Sequence, residues 1–315
     1  MTLIVLMMNN VDVEQTRAVL ERLGLPSRDA FDLPTSGLRF ADGGQARIEI
    51  PSVEGPAALA AVVAEADARS VPVHRVSQGS GIMLQTDDEI TEMVAVGGAR
   101  GIEVCLFVGP RASWDTGVQV TTSSGRSLGA SLRGVEQLVY GIEDVRRGCE
   151  LGLRSVLVAD VGHLSVLGRM KADGDLPPDL VLKVSISLPV ANPATARVLE
   201  DLGASTLNLP VDLSLPQIAA IRQAVQLPID MYVEGADDFG APVRYHEIAE
   251  LVRVASPVYL KFTVRNAPGI YPSGEHLAAV VLATARERVR RASIGLTHLR
   301  RYAPDAMLSP VTMTP

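Results

Sequence analysis

Short apolar runs separated by helix-like stretches recur along this chain, and that rhythm constrains its fold more than any other feature. The runs are Arg47–Ile50, Val71–Val76, Ile102–Val108, Ser155–Asp160, Leu180–Ser187, Thr206–Pro210, Pro228–Glu234 and Val258–Val264. The stretches that read as helices are Pro56–Arg69, Asp87–Ala99, Arg133–Leu151, Leu164–Lys171, Pro193–Leu202, Leu215–Ala224, Arg244–Ala255 and Gly274–Arg291. Strands alternating with helices imply parallel pairing. Eight such units in about 250 residues are the content of a closed (β/α)8 barrel of the TIM type, the α/β fold class expected here. Barrels of this kind carry their chemistry at the carboxyl ends of the strands, so the residues that end each run are where function is sought.

The chain has 315 residues, enough for one large barrel. The expected organisation is an N-terminal strand–helix extension over residues 1–45 packed on the barrel, the barrel over 46–297, and a C-terminal tail over 298–315. Lys plus Arg is 29 against 36 Asp plus Glu, a net charge of −7. That balance argues against nucleic acid or an anionic membrane as partner, since both select a basic face. Of the basic clusters Arg300–Arg301 and Arg286–Arg291, the second sits on a helix and reads as solvated charge. A small-molecule substrate is the expected partner, with a homo-oligomer compatible with Ala-rich helix faces such as Ala57–Ala68. Two cysteines, Cys105 and Cys149, one in a strand and one in a helix, read as free thiols and not as a disulfide framework. No apolar run reaches the roughly 18 residues of a membrane span. The apolar stretch within Met1–Asn10 is too short for a signal peptide, so a cytoplasmic location is expected.

Ahead of the barrel, Leu3–Met8 reads as a strand and Val13–Leu23 as a helix that stops at Gly24 with Pro26 beyond. Asp42-Gly43-Gly44 between Leu38–Phe40 and Arg47–Ile50 is a hairpin cue. The segment after the third run, residues 109–131, is long for a barrel loop and holds Trp114, the only tryptophan. Val118 and Val120 ahead of Ser124-Gly125 suggest a small hairpin. A loop of this length on the catalytic face reads as a lid or a subunit contact.

Alternate side chains of a strand face one way, and in a barrel one set fills the lumen. In the fifth run this puts Lys183, Ser185 and Ser187 inside. In the seventh it selects Asp230, Tyr232 and Glu234, and in the eighth Tyr259, Lys261, Thr263 and Arg265. Asn208, Asp160, Arg75, Gln78, Arg47 and Glu49 complete a polar interior. Buried charges are costly unless paired, so two readings stand: an internal salt-bridge network, with Lys183 and Lys261 against Asp230 and Glu49, or a ligand-binding constellation. Residues low in their strands (Arg47, Lys183, Asp230) read as structural. Those high in them (Gln78, Asp160, Ser187, Glu234, Arg265) read as meeting a ligand.

Three chemistries fit this inventory. A desolvated lysine, Lys183 or Lys261, forms a Schiff base with a carbonyl substrate. Carboxylates Asp160, Asp212 and Glu234 hold a divalent metal, whereas the five histidines are scattered without a zinc spacing. An anion site is suggested by the glycine-rich loop Ser77–Gly81 and by the eighth loop, where Ser273-Gly274 precedes a helix close to Arg265. Serine nucleophile chemistry lacks its Gly-x-Ser-x-Gly elbow.

The stretch Gly148–Gly162, ending Val158-Ala159-Asp160-Val161-Gly162, resembles a motif of the collagenase-like peptidases, a family of unknown catalytic mechanism. Val184–Ser187, Asn192–Ala196, Leu202-Gly203-Ala204, Leu207–Leu215 and Asp230–Ala236 follow in the family's order, with Asp212 in the place of a glutamate. The resemblance spans roughly residues 135–265. It implies a barrel, a hydrolase or peptidase-like activity, and a site near Asp160, Asn208, Asp212, Tyr232 and Glu234. Where several family members place cysteines for an iron–sulfur cluster, this chain has Asp237-Asp238-Phe239-Gly240, and its two cysteines exclude a four-cysteine cluster within one subunit. The resulting expectation is a barrel enzyme on a small anionic substrate. Glu234 or Asp160 serves as general base or metal ligand, Tyr232 as hydrogen-bond donor, and Arg75, Gln78, Asn208, Arg265 and Trp114 bind substrate. A lyase or aldolase acting on an oxo-acid through Lys183 or Lys261 is the first alternative, and a non-catalytic binding subunit the second.

Overall fold

Eight strands pair in chain order, every pair parallel, and the last closes on the first. They are β1 (Ala46–Pro51), β2 (Arg75–Gln78), β3 (Glu103–Phe107), β4 (Ser155–Val158), β5 (Val181–Val184), β6 (Thr206–Asn208), β7 (Ile229–Glu234) and β8 (Val258–Phe262). The structure is a computed structural model and describes residues 13–115, 118–123, 125, 129–237, 240 and 242–311. Helix α1 (13–22) precedes the barrel. The others are α2 (Pro56–Arg69), α3 (Asp87–Arg100), α4 (Gly134–Glu150), α5 (Val161–Asp173), α6 (Pro193–Asp201), α7 (Leu215–Ala224), α8 (Ile248–Ala255) and α9 (Ala278–Tyr302). The chain is therefore a (β/α)8 barrel, as its alternation predicts.

Local chemistry sets the helix ends. Thr86 and Glu89 form a capping box at α3, Asp160 caps α5 through His163 N at 2.9 Å, and Asn192 caps α6 through Thr195 N at 2.9 Å. Helix α1 ends at Gly24 in the left-handed region, as expected. Helix α9 continues well past Arg291, because Ala292, Leu296 and Leu299 are buried against the barrel.

The Asp42 turn forms, with Asp42 Oδ1 accepting from Gly44 N at 2.9 Å, but it opens no hairpin. Both edges of β1 are taken by parallel partners, β2 and β8, which leaves no edge for residues 38–40. The expected strand Leu3–Met8 lies outside the described residues. At the amino end of the barrel, Arg47 pairs with Asp42 at 2.8 Å and stacks on Phe40 at 4.2 Å. The C-terminal tail returns to its own barrel there: Ser309 N donates to Ala46 O at 3.0 Å, and the His74 ring lies 2.8 Å from Ser309 O.

The sheet separates two interiors. Outward residues such as Ile48, Val76, Leu106, Val156, Leu182, Leu207, Met231 and Leu260 join the helices in one large apolar core. The lumen holds an ionic network instead. Glu49 receives Lys183 Nζ in a short contact, Lys261 Nζ at 3.2 Å and Arg75 Nη1 at 3.3 Å. Asp230 pairs with Arg75 at 3.1 Å and Lys183 at 3.3 Å, and Glu103 with Arg75 at 2.8 Å. Three cations thus meet three carboxylates, and the Arg75 guanidinium also lies 3.5 Å from the Tyr259 ring centroid. Burial alone would raise the Glu49 carboxyl, but Lys183, Lys261 and Arg75 outweigh it and hold it far below the usual range.

Three outcomes follow. Glu49→Gln leaves buried cations without their shared anion and is expected to cost about 3–5 kcal/mol in urea unfolding. Gly168 of α5 lies against the turn after α6, where an added Cβ would sit 2.2 Å from Leu202 O. Gly168→Ala should lower the melting temperature, with overpacking of about 1–3 kcal/mol exceeding the roughly 1 kcal/mol gain in helix propensity. His163 is fully buried beneath α4, and burial pulls its pKa to about 4 from 6.5 against Asp160 and the Gly141 carbonyl. A folded pKa below the unfolded one gives stability that is present above about pH 6.5 and lost as pH falls towards 4. His163→Leu should therefore melt with a smaller drop between pH 7 and pH 4.5 than the unsubstituted chain does.

Candidate functional site

A cavity of about 650 Å3 opens at the carboxyl ends of the strands. All eight strands or the loops that follow them contribute: Ser52, Ser77 and Gln78, Phe107 and Arg111, Leu157, Ser185 and Ser187, Asn208, Tyr232, and Lys261 with Thr263. The floor is the upper edge of the ionic network. Lys261 reaches the cavity from β8 while its Nζ stays 3.2 Å from Glu49 and 4.4 Å from the Tyr232 ring centroid. Burial and the Glu49 charge push the Tyr232 hydroxyl upward, so it stays protonated and able to donate. Asn208 is 2% exposed, and its Oδ1 has no hydrogen-bond partner among the described residues.

The roof comes from the loop after β3. Its ends are drawn together by Ala112 N to Ser131 O and Ser113 N to Gly129 O, both at 2.9 Å. Asp144 accepts Gly109 N at 3.0 Å and Asp160 accepts Leu132 N at 3.2 Å, so a carboxylate holds each end. Burial raises the Asp144 carboxyl to about 6. Ser113, Trp114, Gly129 and Ala130 of this loop line the cavity. The hairpin expected around Val118 and Val120 is a 3-10 turn over Val118–Thr121 with Val118 exposed, since two alternating valines without a buried face do not hold a strand pair. Ser124 of that expected hairpin lies outside the described residues.

The expected site residues divide into three groups. Lys261, Tyr232, Asn208, Gln78 and Trp114 come together in the cavity. Lys183 and Arg75 are enclosed below it in the lumen network, where Lys183 is completely buried. Glu234, Asp160, Asp212 and Arg265 stand elsewhere. A register shift between Tyr232 and Glu234 breaks the alternation of β7. Glu234 therefore turns to the helix side, accepting from Tyr245 Oη at 2.6 Å and Arg265 N at 3.2 Å and lying 3.7 Å from Arg291. Asp160 serves backbone amides, Asp212 is exposed, and Arg265 is exposed beside Asp237 at 2.8 Å. Among the described residues no three His, Cys, Asp or Glu side chains group to hold a metal ion.

The anion cradle read from the second loop exists, but its occupant is internal. Glu54 accepts Gly79 N at 2.7 Å, Ser80 N at 3.1 Å and Ser80 Oγ at 2.5 Å. Ser273 N donates to Ser80 Oγ at 2.8 Å, which ties the eighth loop to the second. Two cavity residues, Tyr271 and Arg111, escaped the sequence reading, as did Glu54 behind the rim. Arg111 carried the clearest signal, as the only basic residue close behind the third run, flanked by Phe107 and Trp114.

Comparison with known proteins bears on the family. Residues 132–239 match the model of peptidase family U32. No curated protein matches the chain in sequence. The fold is similar to a solved U32 peptidase (16% identity, 73% of this chain and 97% of that one, TM-score 0.43). It is also similar to the putative copper homeostasis protein CutC from Streptococcus agalactiae (14% identity, 68% and 98% coverage, TM-score 0.44). A third similar structure is a native KDPGal structure (10% identity, 84% and 98% coverage, TM-score 0.48). The matched segment supplies the β4–β7 side of the cavity, whereas Gln78, Arg111, Trp114 and Lys261 lie outside it. The likeness to peptidase family U32 therefore lies in residues 132–239.

Proposed function

We propose that this chain is an enzyme of carbonyl chemistry, a lyase or aldolase acting on a small oxo-acid, with Lys261 as the amine nucleophile. The observation that carries the reading is the ionisable inventory of the cavity. Lys261, Arg111, Tyr232 and Tyr271 line it, and no Asp, Glu, His or Cys among the described residues does. Among the described residues the wall thus offers no carboxylate or imidazole to activate its serine hydroxyls, and the lysine amine is its strongest nucleophile. In the step envisaged, the Lys261 ammonium gives one proton to solvent water and its Nζ then adds to the substrate carbonyl carbon. The carbinolamine takes a proton back as its hydroxyl leaves as water, and a protonated imine remains. That imine is cationic, as the lysine was, so Glu49 at 3.2 Å keeps an opposite charge and the lumen network stays balanced through the covalent step. The iminium draws electrons from the bond between its α and β carbons; as that bond breaks, the β-hydroxyl gives its proton to solvent, the fragment leaves as a carbonyl compound, and the enamine left behind takes a proton from the Tyr232 hydroxyl.

The family match favours a second reading, peptide-bond hydrolysis, in which the same cavity holds a short peptide.

Reduction with sodium borohydride in the presence of pyruvate is expected to add the mass of the reduced adduct at Lys261, located by peptide mapping. Lys261→Met should abolish the adduct, and Lys183→Met, if folded, should not move it elsewhere. No adduct on the unsubstituted chain across a panel of small oxo-acids would remove the lysine reading. Turnover of unblocked peptides by Lys261→Met at the unsubstituted rate would select hydrolysis.

A further inference from the structure

We propose that Arg111 is the subsite for the substrate's carboxylate, held under the loop that carries Trp114. This deepens the oxo-acid reading and rests on it for the other end of the substrate. Arg111 is 7% exposed and lines the cavity. Its guanidinium lies 3.6 Å from the Phe107 ring centroid and 4.1 Å from that of Trp114. Its one protein acceptor among the described residues is Gly79 O, which takes Nη2 at 2.7 Å, and its Nε has none. Among the described residues no carboxylate stands within ion-pair distance of it, in contrast to Arg75 with three. Burial draws its pKa down to about 10, with Glu54, Tyr271 and Asp144 opposing from a distance, and it stays charged at neutral pH.

A buried guanidinium without a counter-ion is costly, and the cost disappears when an anion enters. Arg222 and Arg288 are also buried with no carboxylate in ion-pair contact among the described residues and with Nε unpartnered, donating otherwise to backbone carbonyls, but neither lines the cavity, and that is what sets Arg111 apart. Glu54 cannot serve as the missing partner, because its oxygens are taken by Gly79 and Ser80. The two rings lie against the guanidinium, so hydrogen bonding is left to its N–H rim. A planar carboxylate matches that rim with two parallel bonds. An oxo-acid anchored there by its carboxylate presents its carbonyl to the remaining cavity, where Lys261 is the nucleophile.

Trp114 is the only tryptophan, so its emission reports directly on the stack. The full chain is titrated with pyruvate, methyl pyruvate, acetate and inorganic phosphate, with calorimetry alongside. Pyruvate and acetate should give saturable changes, and methyl pyruvate should bind at least about tenfold more weakly than pyruvate. Arg111→Met, checked for native circular dichroism, should lose carboxylate binding by at least about tenfold. Arg111→Lys, which keeps the charge but not the planar fork, should fall between the two. Lys261→Met should retain acetate binding while losing the borohydride adduct. Equal binding of pyruvate and its ester, carboxylate affinity unchanged in Arg111→Met, or no carboxylate binding at all would each overturn the proposal. Phosphate binding more tightly than pyruvate through Arg111 would overturn the carboxylate assignment. A missing lysine adduct with Arg111-dependent acetate binding would sink the Lys261 reading and leave this subsite standing.

Discussion

Glu49 is the residue on which the interior depends. It stands in β1 at the point where Lys183 from β5, Lys261 from β8 and Arg75 from β2 converge, and it is completely buried. A lumen filled by branched apolar side chains would be held by packing alone. Here a large part of that volume is ionic, and each charge tolerates burial because the others are present. The exchange is specificity for tolerance. The register of β1 against β2 and β8 places Glu49 beside Arg75 and Lys261, and a slip of one residue would turn these charges to the helix side.

The same network shapes the cavity above it. All three cations are buried, but Lys261 alone of them lines the cavity, held from below by Glu49. That asymmetry gives the barrel a floor with a single lysine available to a ligand. The roof follows a different logic. It is a loop held at its two ends by Asp144 and Asp160. It contributes a guanidinium close to the Phe107 and Trp114 rings, with no carboxylate in ion-pair contact among the described residues. Floor and roof thus carry opposite solutions for positive charge, one neutralised within the fold and one left for a ligand.

The second loop illustrates how a correct chemical reading meets a different occupant. Backbone amides of Gly79 and Ser80 do converge on an anion, as the glycine-rich sequence suggests, but that anion is Glu54. The result is structural. Glu54 stiffens the loop whose Gly79 carbonyl anchors Arg111, and through Ser80 it is joined to the eighth loop at Ser273. A carboxylate that sequence alone does not single out therefore organises the rim of the cavity.

Much of this protein was legible in the order of its residues. Alternation of apolar runs with helical stretches determined a parallel closed barrel, because a helix between strands returns the chain to the same end of the sheet. Period-two alternation within strands determined which side chains enter the lumen, and it holds for Lys183, Asp230, Tyr232, Asn208 and Lys261. It failed at Glu234, where one shifted pairing turns the side chain outward, a change that apolar pattern does not encode. Tertiary structure alone decided which inner charges neutralise one another, which lysine reaches the cavity, and that Arg111 has no counter-ion among the described residues. The physical reason is that periodicity gives the direction of a side chain within its own strand. Its partner and its height come from the register of strands and the closure of loops remote in sequence.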